Sequence, residues 1–556
     1  MKKIILLFFL IIYSHGFSQV TISEVEKNKQ FGLVWGLLKY HHPEISNGKY
    51  DWDLEYVNTS SSLDTIKNQD GMNAFLFRFI SKFKTDKLKT KKLTTERLFV
   101  KNVDYDWIDE TVFGKQLTKT LLEIKENSNK NNYYASTNKL AKMLSFDNEK
   151  GYQDFNYANK NHRLLLLYSF WNAIQYWNVN KYLMDHNWVS ILHPMTELFI
   201  NCNTKLEFEI AKSKLIAKLD DSHSYHLSDI VFDTLFKNKP YFSVKTISDS
   251  LLVTSIFNKS LAKKDGLELG DIITKVNTTD ISTAIHEKIA PILSVSNKSF
   301  LNKWCNWLFY SQSDSINVAI NKKNGSGKNQ YIHLYEKYEV ENPTYLWTER
   351  NDKWTLIKPD IAYINLDEIT QKELKAVFKQ IANNTKGLIL DLRKNTKNIR
   401  ESDLSDFLYP KNKEFIKVLF PMENYPSYGE YDGEAPLKLI SNPFHSGKNN
   451  PDYYKGKVIL LVNRRTQSKG EYIGMAIQQS PNCVTIGEQT AGSVMNIVSY
   501  RMPDKTEVYF TGLGGFYPNG DEVQRKGLKI DYNIKESTKN YDPELYIKEA
   551  IKIIEN

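Results

Sequence analysis

VILLVNRRTQSKGEYIGMAIQQSPNCVTIGEQTAG, residues 458–492, opens with an unbroken apolar run, Val458 to Val462, of the kind a buried strand presents. A polar turn follows, Arg464 to Gly470, and it carries one serine. Glu471 to Gln479 then reads as a short helix, with Ile473, Ala476 and Ile477 on one face. Cys483 to Gly487 reads as a second strand, closed by Thr490-Ala491-Gly492. A strand that ends in a polar turn and feeds a helix sets side chains at the carboxyl edge of a sheet, beside the free N–H groups of the helix start. Ser468 occupies that place and is the candidate nucleophile.

The rest of the chain bounds the setting. With 556 residues it is long enough for several domains. An apolar fraction of 41%, with 33 tyrosines and 10 tryptophans, argues for packed cores and against disorder. The net charge of +9 comes from lysines spread along the chain, without the dense basic block of a nucleic-acid arm. No nucleic-acid partner is expected. Three cysteines, Cys202, Cys305 and Cys483, are too few for a disulfide framework and are not spaced as zinc ligands. No metal or cofactor is expected.

Lys2 and Lys3 precede an apolar run, Ile4 to Tyr13, and then small and polar residues to Gln19. This is the layout of a signal peptide over residues 1–18. The run is too short to span a bilayer core of roughly 30 Å, and no later segment is apolar enough to do so. The expected product is exported and soluble, in the periplasm or secreted.

Residues 19–150 read as a helical N-terminal domain. Phe31 to His42 is amphipathic and Pro43 ends it. Trp52 follows Trp35 by 17 residues, and Trp188 follows Trp171 by the same 17, within a second amphipathic tract, Ser169 to Trp177. The two tracts, 136 residues apart, read as an internal repeat of one helical unit whose aromatics form a helix–helix core. A second helical segment, 155–235, includes the amphipathic run Thr204 to Leu219 and ends in Asp220-Asp221-Ser222-His223-Ser224-Tyr225-His226. That cluster reads in three ways: a polar loop bonding its own backbone, an incomplete metal site, or a base, His223, presented to a distant nucleophile.

From Tyr241 short β-type runs and glycines punctuate a strand–helix–strand pattern. The run SLAKKDGLELGDIITKVN, 260–277, resembles the core of a PDZ domain, here expected over 236–325. Such domains take extended peptides, commonly C-termini, by strand addition at a sheet edge. Residues 350–556 read as an α/β domain, with strands at Ile361 to Leu366 and Gly387 to Leu392 around a helix, Gln371 to Asn383. A hairpin is expected over Ser499 to Phe510 and a last helix over Pro543 to Ile554.

In this order the plan resembles the tail-specific, or C-terminal processing, family of serine peptidases. The motifs that carry the likeness are GLILDLR (387–393), TQSKGE (466–471) and GEQTAG (487–492). The resemblance implies a multidomain α+β protein: helical N-terminal region, PDZ-like domain, and an α/β (crotonase/ClpP-like) protease domain. It implies polypeptide substrates, captured by the PDZ-like domain, some by their free C-termini. Ser468 matches the family nucleophile. Many members place a lysine base 25 residues later, where this chain has Ser493. The tricorn branch uses a Ser-His pair instead, and Ser222-His223 matches it. The resemblance then implies His223 as base, Ser222 orienting it, and a carboxylate from the C-terminal loop, Glu522 being the nearest acid and Gln524 the better-aligned residue. Backbone donors for the oxyanion would be Lys469 and the turn at Lys397-Asn398, where relatives often carry Gly-Gly. A catalytically inactive protease-like peptide binder is the alternative, favoured by positions 397, 398 and 493.

Overall fold

The computed structural model describes residues 21–556 except 84–97, 128–131, 138–141, 225, 348–349, 383, 424 and 430–443. The signal-peptide reading, and much of the polar stretches at 127–132 and 421–453, lie outside the described residues.

The N-terminal region is helical. Helix α1 (Glu24–His41) starts where the Ser23 side chain accepts the Glu26 N–H, and stops at His42, held extended before Pro43. Helix α2 (Lys160–Trp177) starts at an Asn159 cap. The 17-residue tryptophan spacing has a physical cause. The Trp35 indole donates to the Trp52 carbonyl at 3.0 Å and the Trp52 indole donates to the Trp35 carbonyl at 3.1 Å, the two rings lying 8° from parallel. Trp171 and Trp188 repeat both bonds at 3.0 Å, with rings 11° from parallel. Each pair buries two large rings and satisfies both indole N–H groups. The helices of the two copies cross where glycines admit them. A Cβ on Gly32 would lie 2.3 Å from the Tyr168 ring, and one on Gly36 would lie 1.9 Å from Asn172. Gly32 with Tyr168, and Gly36 with Asn172, are separated by the same 136 residues as Trp35 and Trp171, so equivalent positions of the two copies meet. Helix α3 (Lys205–Ala217) follows, with a Thr204–Glu207 capping box, and leads to Asp220 at φ 49°.

The next unit is a sheet of antiparallel neighbours in the order β1 (Phe242–Ile247), β2 (Ser250–Ile256), β3 (Ile272–Val276), β4 (Ser315–Asn321), β5 (Gly327–His333). Helix α4 (Ile281–Lys288) packs over its core.

The α/β region is a six-stranded sheet in the order β6 (Trp354–Lys358), β7 (Ile361–Asn365), β8 (Gly387–Asp391), β9 (Lys457–Val462), β10 (Cys483–Gly487), β13 (Tyr532–Asn533). All pairs are parallel except β6 with β7. Parallel strands are covered on both faces, and successive residues divide accordingly. Val458, Leu460 and Val462 join one core with helices α5 (Gln371–Ile381), α6 (Glu401–Leu408) and α7 (Lys469–Ile477). Ile459 and Leu461 join the other, under helix α8 (Leu545–Glu555). Between β10 and β13 a hairpin, β11 (Ile497–Arg501) with β12 (Glu507–Thr511), leaves this sheet. Its inner residues Val498, Tyr500, Val508 and Phe510 belong to the helical core, and the Lys212 ammonium of α3 holds Asp504 in its turn at 2.6 Å. The hairpin therefore fixes the helical region against the α/β region and ends on Thr511.

Candidate active site

Helix α7 begins at Lys469, two residues earlier than the periodicity predicts, so Ser468 is the residue between strand turn and helix. Its backbone stands at φ 53°, ψ −115°, a left-handed conformation costly for a side-chain-bearing residue, of order 1–3 kcal/mol. Such a strained strand-to-helix turn lifts a serine hydroxyl out of the sheet edge, as in a nucleophile elbow.

The surroundings hold the turn. The Ser468 N–H donates to the Ser493 carbonyl at 2.9 Å, and Thr466 Oγ1 donates to the Leu392 carbonyl at 2.7 Å. Gly470 N–H donates to Asn395 Oδ1 at 3.1 Å. Glu471, fully buried on the first turn of α7, accepts from Gly492 N–H at 2.7 Å, from Ser493 N–H at 2.9 Å and from the Thr490 hydroxyl. Burial pushes its carboxyl up to about 7 against these donors. The glutamate of TQSKGE and the turn of GEQTAG are thus one buried unit. Position 493, where a lysine base would stand, carries a structural serine. Its N–H and carbonyl brace the turn at Ser468, and its hydroxyl accepts from the Gln467 carboxamide at 3.2 Å.

His223 reaches the same place from the far side. A cavity of about 780 Å³ has both Ser468 and His223 on its wall, with apolar Val418, Phe420, Phe444 and Leu513 around them. His223 Nδ1 lies 2.9 Å from Thr511 Oγ1. Asp221 Oδ2 accepts the Thr511 N–H at 2.7 Å, and Asp221 Oδ1 accepts the His223 N–H at 3.0 Å. The buried Gln524 carboxamide donates to Thr511 Oγ1 at 3.4 Å. His223 Nε2 is buried and has no hydrogen-bond partner among the described residues. Burial lowers the imidazole from its usual 6.5, and the Asp221 carboxylate partly opposes this.

Three expectations need correction. Ser222 does not orient His223. Its hydroxyl accepts the Ser296 N–H at 2.9 Å and donates to the Ala491 carbonyl at 3.2 Å, because the turn at 222–223 sends the two side chains to different neighbours. Glu522 does not complete the site. It stands one residue before the buried Val523, half-exposed, with its carboxylate 4.0 Å from the Lys101 ammonium, while Gln524, two residues on, faces Thr511. Lys397 and Asn398 are exposed; the turn residue on the cavity wall is Asn395. The Lys397 carbonyl is instead bonded by Lys469 Nζ at 2.9 Å. Sequence reading missed Thr511 and Asn395, which carry no local signal. It had Asp221 within the cluster but assigned it no role.

No group of three or more His, Cys, Asp or Glu among the described residues is arranged to hold a metal ion.

Comparison with known proteins agrees with this architecture. Residues 360–534 match the model of Peptidase family S41, and residues 241–299 match the PDZ domain model. A carboxyl-terminal-processing peptidase 1, chloroplastic, of Arabidopsis thaliana is 22% identical over 339 residues, 58% of this chain and 62% of that protein. A probable CtpA-like serine protease of Staphylococcus aureus is 22% identical over 291 residues, 52% of this chain and 50% of that protein. The chain thus spans half to three-fifths of the length of these curated relatives. Among solved structures, mature CPAF complexed with lactacystin superposes with a TM-score of 0.52 at 10% identity, covering 70% of this chain and 96% of that one. That likeness is one of fold. In its motifs, in the order of its units and in these matches, the chain resembles the tail-specific, or C-terminal processing, serine peptidases.

Proposed function

We propose that this protein is a serine-type endopeptidase that cuts polypeptides with Ser468 as nucleophile and His223 as general base. The observation that carries the reading is the strained turn at Ser468, facing a cavity onto which His223 also opens. Strain of this kind persists only where the surroundings enforce it, and it concentrates at functional sites.

A serine hydroxyl needs a base at neutral pH. The lowered pKa keeps His223 neutral. With Nδ1–H donated to Thr511 Oγ1, the Nε2 lone pair is free to take the Ser468 proton as Oγ bonds to the scissile carbonyl carbon. The resulting imidazolium is stabilised by Asp221, whose carboxylate lies 3.8 Å from Nδ1. Asp221 and Thr511 divide the orienting duty that a single aspartate carries in the simplest triad. The carbonyl oxygen becomes an oxyanion beside the N-terminus of α7, where the Lys469 N–H has no intrahelical acceptor. His223 then returns the proton to the leaving amine, and water, activated by the same base, releases the acyl group. The apolar cavity wall favours substrates with apolar side chains near the cut.

Export follows from the N-terminal charge and apolar pattern of residues 1–19. No helix among the described residues is long and apolar enough to cross a membrane. The test is cleavage of casein by the mature protein beside Ser468→Ala and His223→Ala. Each substitution is expected to lower kcat by about 10³-fold or more. A Ser468→Ala protein that cuts as fast as the parent removes the nucleophile assignment. Equal inertness of parent and variants supports the inactive binder instead.

A further inference from the structure

A PDZ domain takes a peptide as an added strand on an open sheet edge. Here strand β1 is an edge of the sheet, and the outward backbone groups of Val244 within it are already paired inside the chain. The Val244 N–H donates to Asn306 Oδ1 at 2.8 Å, and the Val244 carbonyl accepts from Asn306 Nδ2 at 3.2 Å. One carboxamide thus offers an acceptor and a donor to one residue, as a neighbouring strand does. Two residues along, Thr246 Oγ1 donates to the Asn302 carbonyl at 3.1 Å. The fully buried Phe309 ring sits 5.0 Å from Phe242 of β1. On the opposite side Lys288, the last residue of α4, donates to the carbonyls of Leu308 at 3.0 Å and Tyr310 at 2.6 Å. The segment 302–310 therefore lies between β1 and α4 and fills the groove that an added peptide would enter. It also lies just beyond the residues that match the PDZ model, which end at 299.

Residues 294–299, which lead into this segment, are bonded to the candidate active site. Ser294 Oγ accepts the Asp221 N–H at 3.0 Å and donates to the Asp221 carbonyl at 2.9 Å. Ser296 and Ser222 exchange two bonds, each from an N–H to the other's hydroxyl, at 2.8 and 2.9 Å. Asn297 Nδ2 donates to the Thr490 carbonyl at 2.9 Å, and Ser299 Oγ to the Gln489 carbonyl at 2.8 Å. These contacts hold the loop that carries His223 and the turn that Glu471 braces.

We propose that residues 294–310 form an internal clamp: its second half occupies the peptide groove of the PDZ domain, and its first half positions the Asp221–His223 loop. The PDZ domain then serves as a socket for the chain's own segment and does not capture substrate by strand addition at β1, which overturns the expectation drawn from the family resemblance. The role in positioning His223 rests on the catalytic reading above; the occupied groove does not. Asn306 and Ser296 are positioning residues, since neither touches the reacting atoms.

Hydrogen exchange on the full chain tests the groove without reference to activity. In the Ser468→Ala protein the Val244 amide is expected to be protected and unchanged by saturating casein-derived peptides. Asn306→Ala is expected to speed exchange at Val244 and also at Ser222 and Ser224, although those amides lie in another unit. Kinetics then read the coupling. Asn306→Ala and Ser296→Ala, at opposite ends of the clamp, are each expected to lower kcat about 10-fold, with KM for casein peptides within about 2-fold, by misplacing the base. Slower exchange at Val244 on peptide addition, or an Asn306→Ala effect confined to KM, overturns the proposal and restores peptide capture at β1. If Ser468→Ala still cuts while the exchange results hold, the catalytic reading fails and the clamp stands.

Discussion

Thr511 Oγ1 lies 2.9 Å from His223 Nδ1, although 288 residues separate the two in the chain. The threonine ends strand β12, whose hairpin is seated in the helical core, so the packing of that core sets where the imidazole points. Thr511→Val removes the hydroxyl and leaves the shape. It is expected to lower kcat about 10²-fold with little change in melting temperature, while Thr511→Ser restores most of the rate. Equal rates for Thr511→Val and the parent in a casein assay sink the assignment.

Gln524 and Glu522 separate by the same logic. Gln524→Ala removes the second donor to the buried Thr511 Oγ1 and leaves it held by His223 alone, so a loss of roughly 1 kcal/mol in stability and a fall in kcat are expected. Glu522→Ala touches a half-exposed residue beside Lys101 and is expected to stay within about 0.5 kcal/mol in urea unfolding, with unchanged kcat.

The pH profile follows from His223. In the proposed mechanism neutral imidazole is the working form, and burial lowers its pKa from the usual 6.5. A log kcat/KM plot is expected to rise on an acidic limb with its midpoint below 6.5 and to be level at pH 7. Asp221→Asn removes the charge that partly offsets burial, which shifts the limb further toward acid. A limb centred above 7 contradicts this environment.

Glu471 supplies a stability signature. Its folded pKa of about 7 exceeds the ordinary value of 4.5, so its stabilising contribution is complete below 4.5 and is lost as pH rises through 7. Glu471→Gln does not titrate. Relative to that variant, the parent is expected to lose about 3 kcal/mol of stability between pH 4.5 and 7 and little beyond. Parallel stability–pH curves for the two proteins rule this out.

The crossing of α1 and α2 is closed to side chains at Gly36. Gly36→Ala sets a Cβ 1.9 Å from Asn172, and a loss of about 1–3 kcal/mol is expected in thermal unfolding.

Much of this was legible in the sequence. The run Val458 to Val462 specifies a doubly covered strand because every residue is apolar, and Ser468 sits where such a strand must turn. The paired 17-residue tryptophan spacings specify a duplicated unit because each indole returns a bond to its partner's backbone. Strand and helix periods are local, so they survive in one dimension. What surrounds His223 was not legible. Ser222 is its neighbour in the chain but bonds to Ser296 and Ala491, whereas Asp221 and Thr511 share a hydrogen bond across 290 residues. Asn306 lies past the PDZ-like core motif and still closes its groove. A hydrogen bond depends on where two atoms meet in space, and no period or motif records that meeting. The sequence by itself determined the strands, the repeat and the serine; packing of the hairpin and of residues 294–310 decided which groups surround His223.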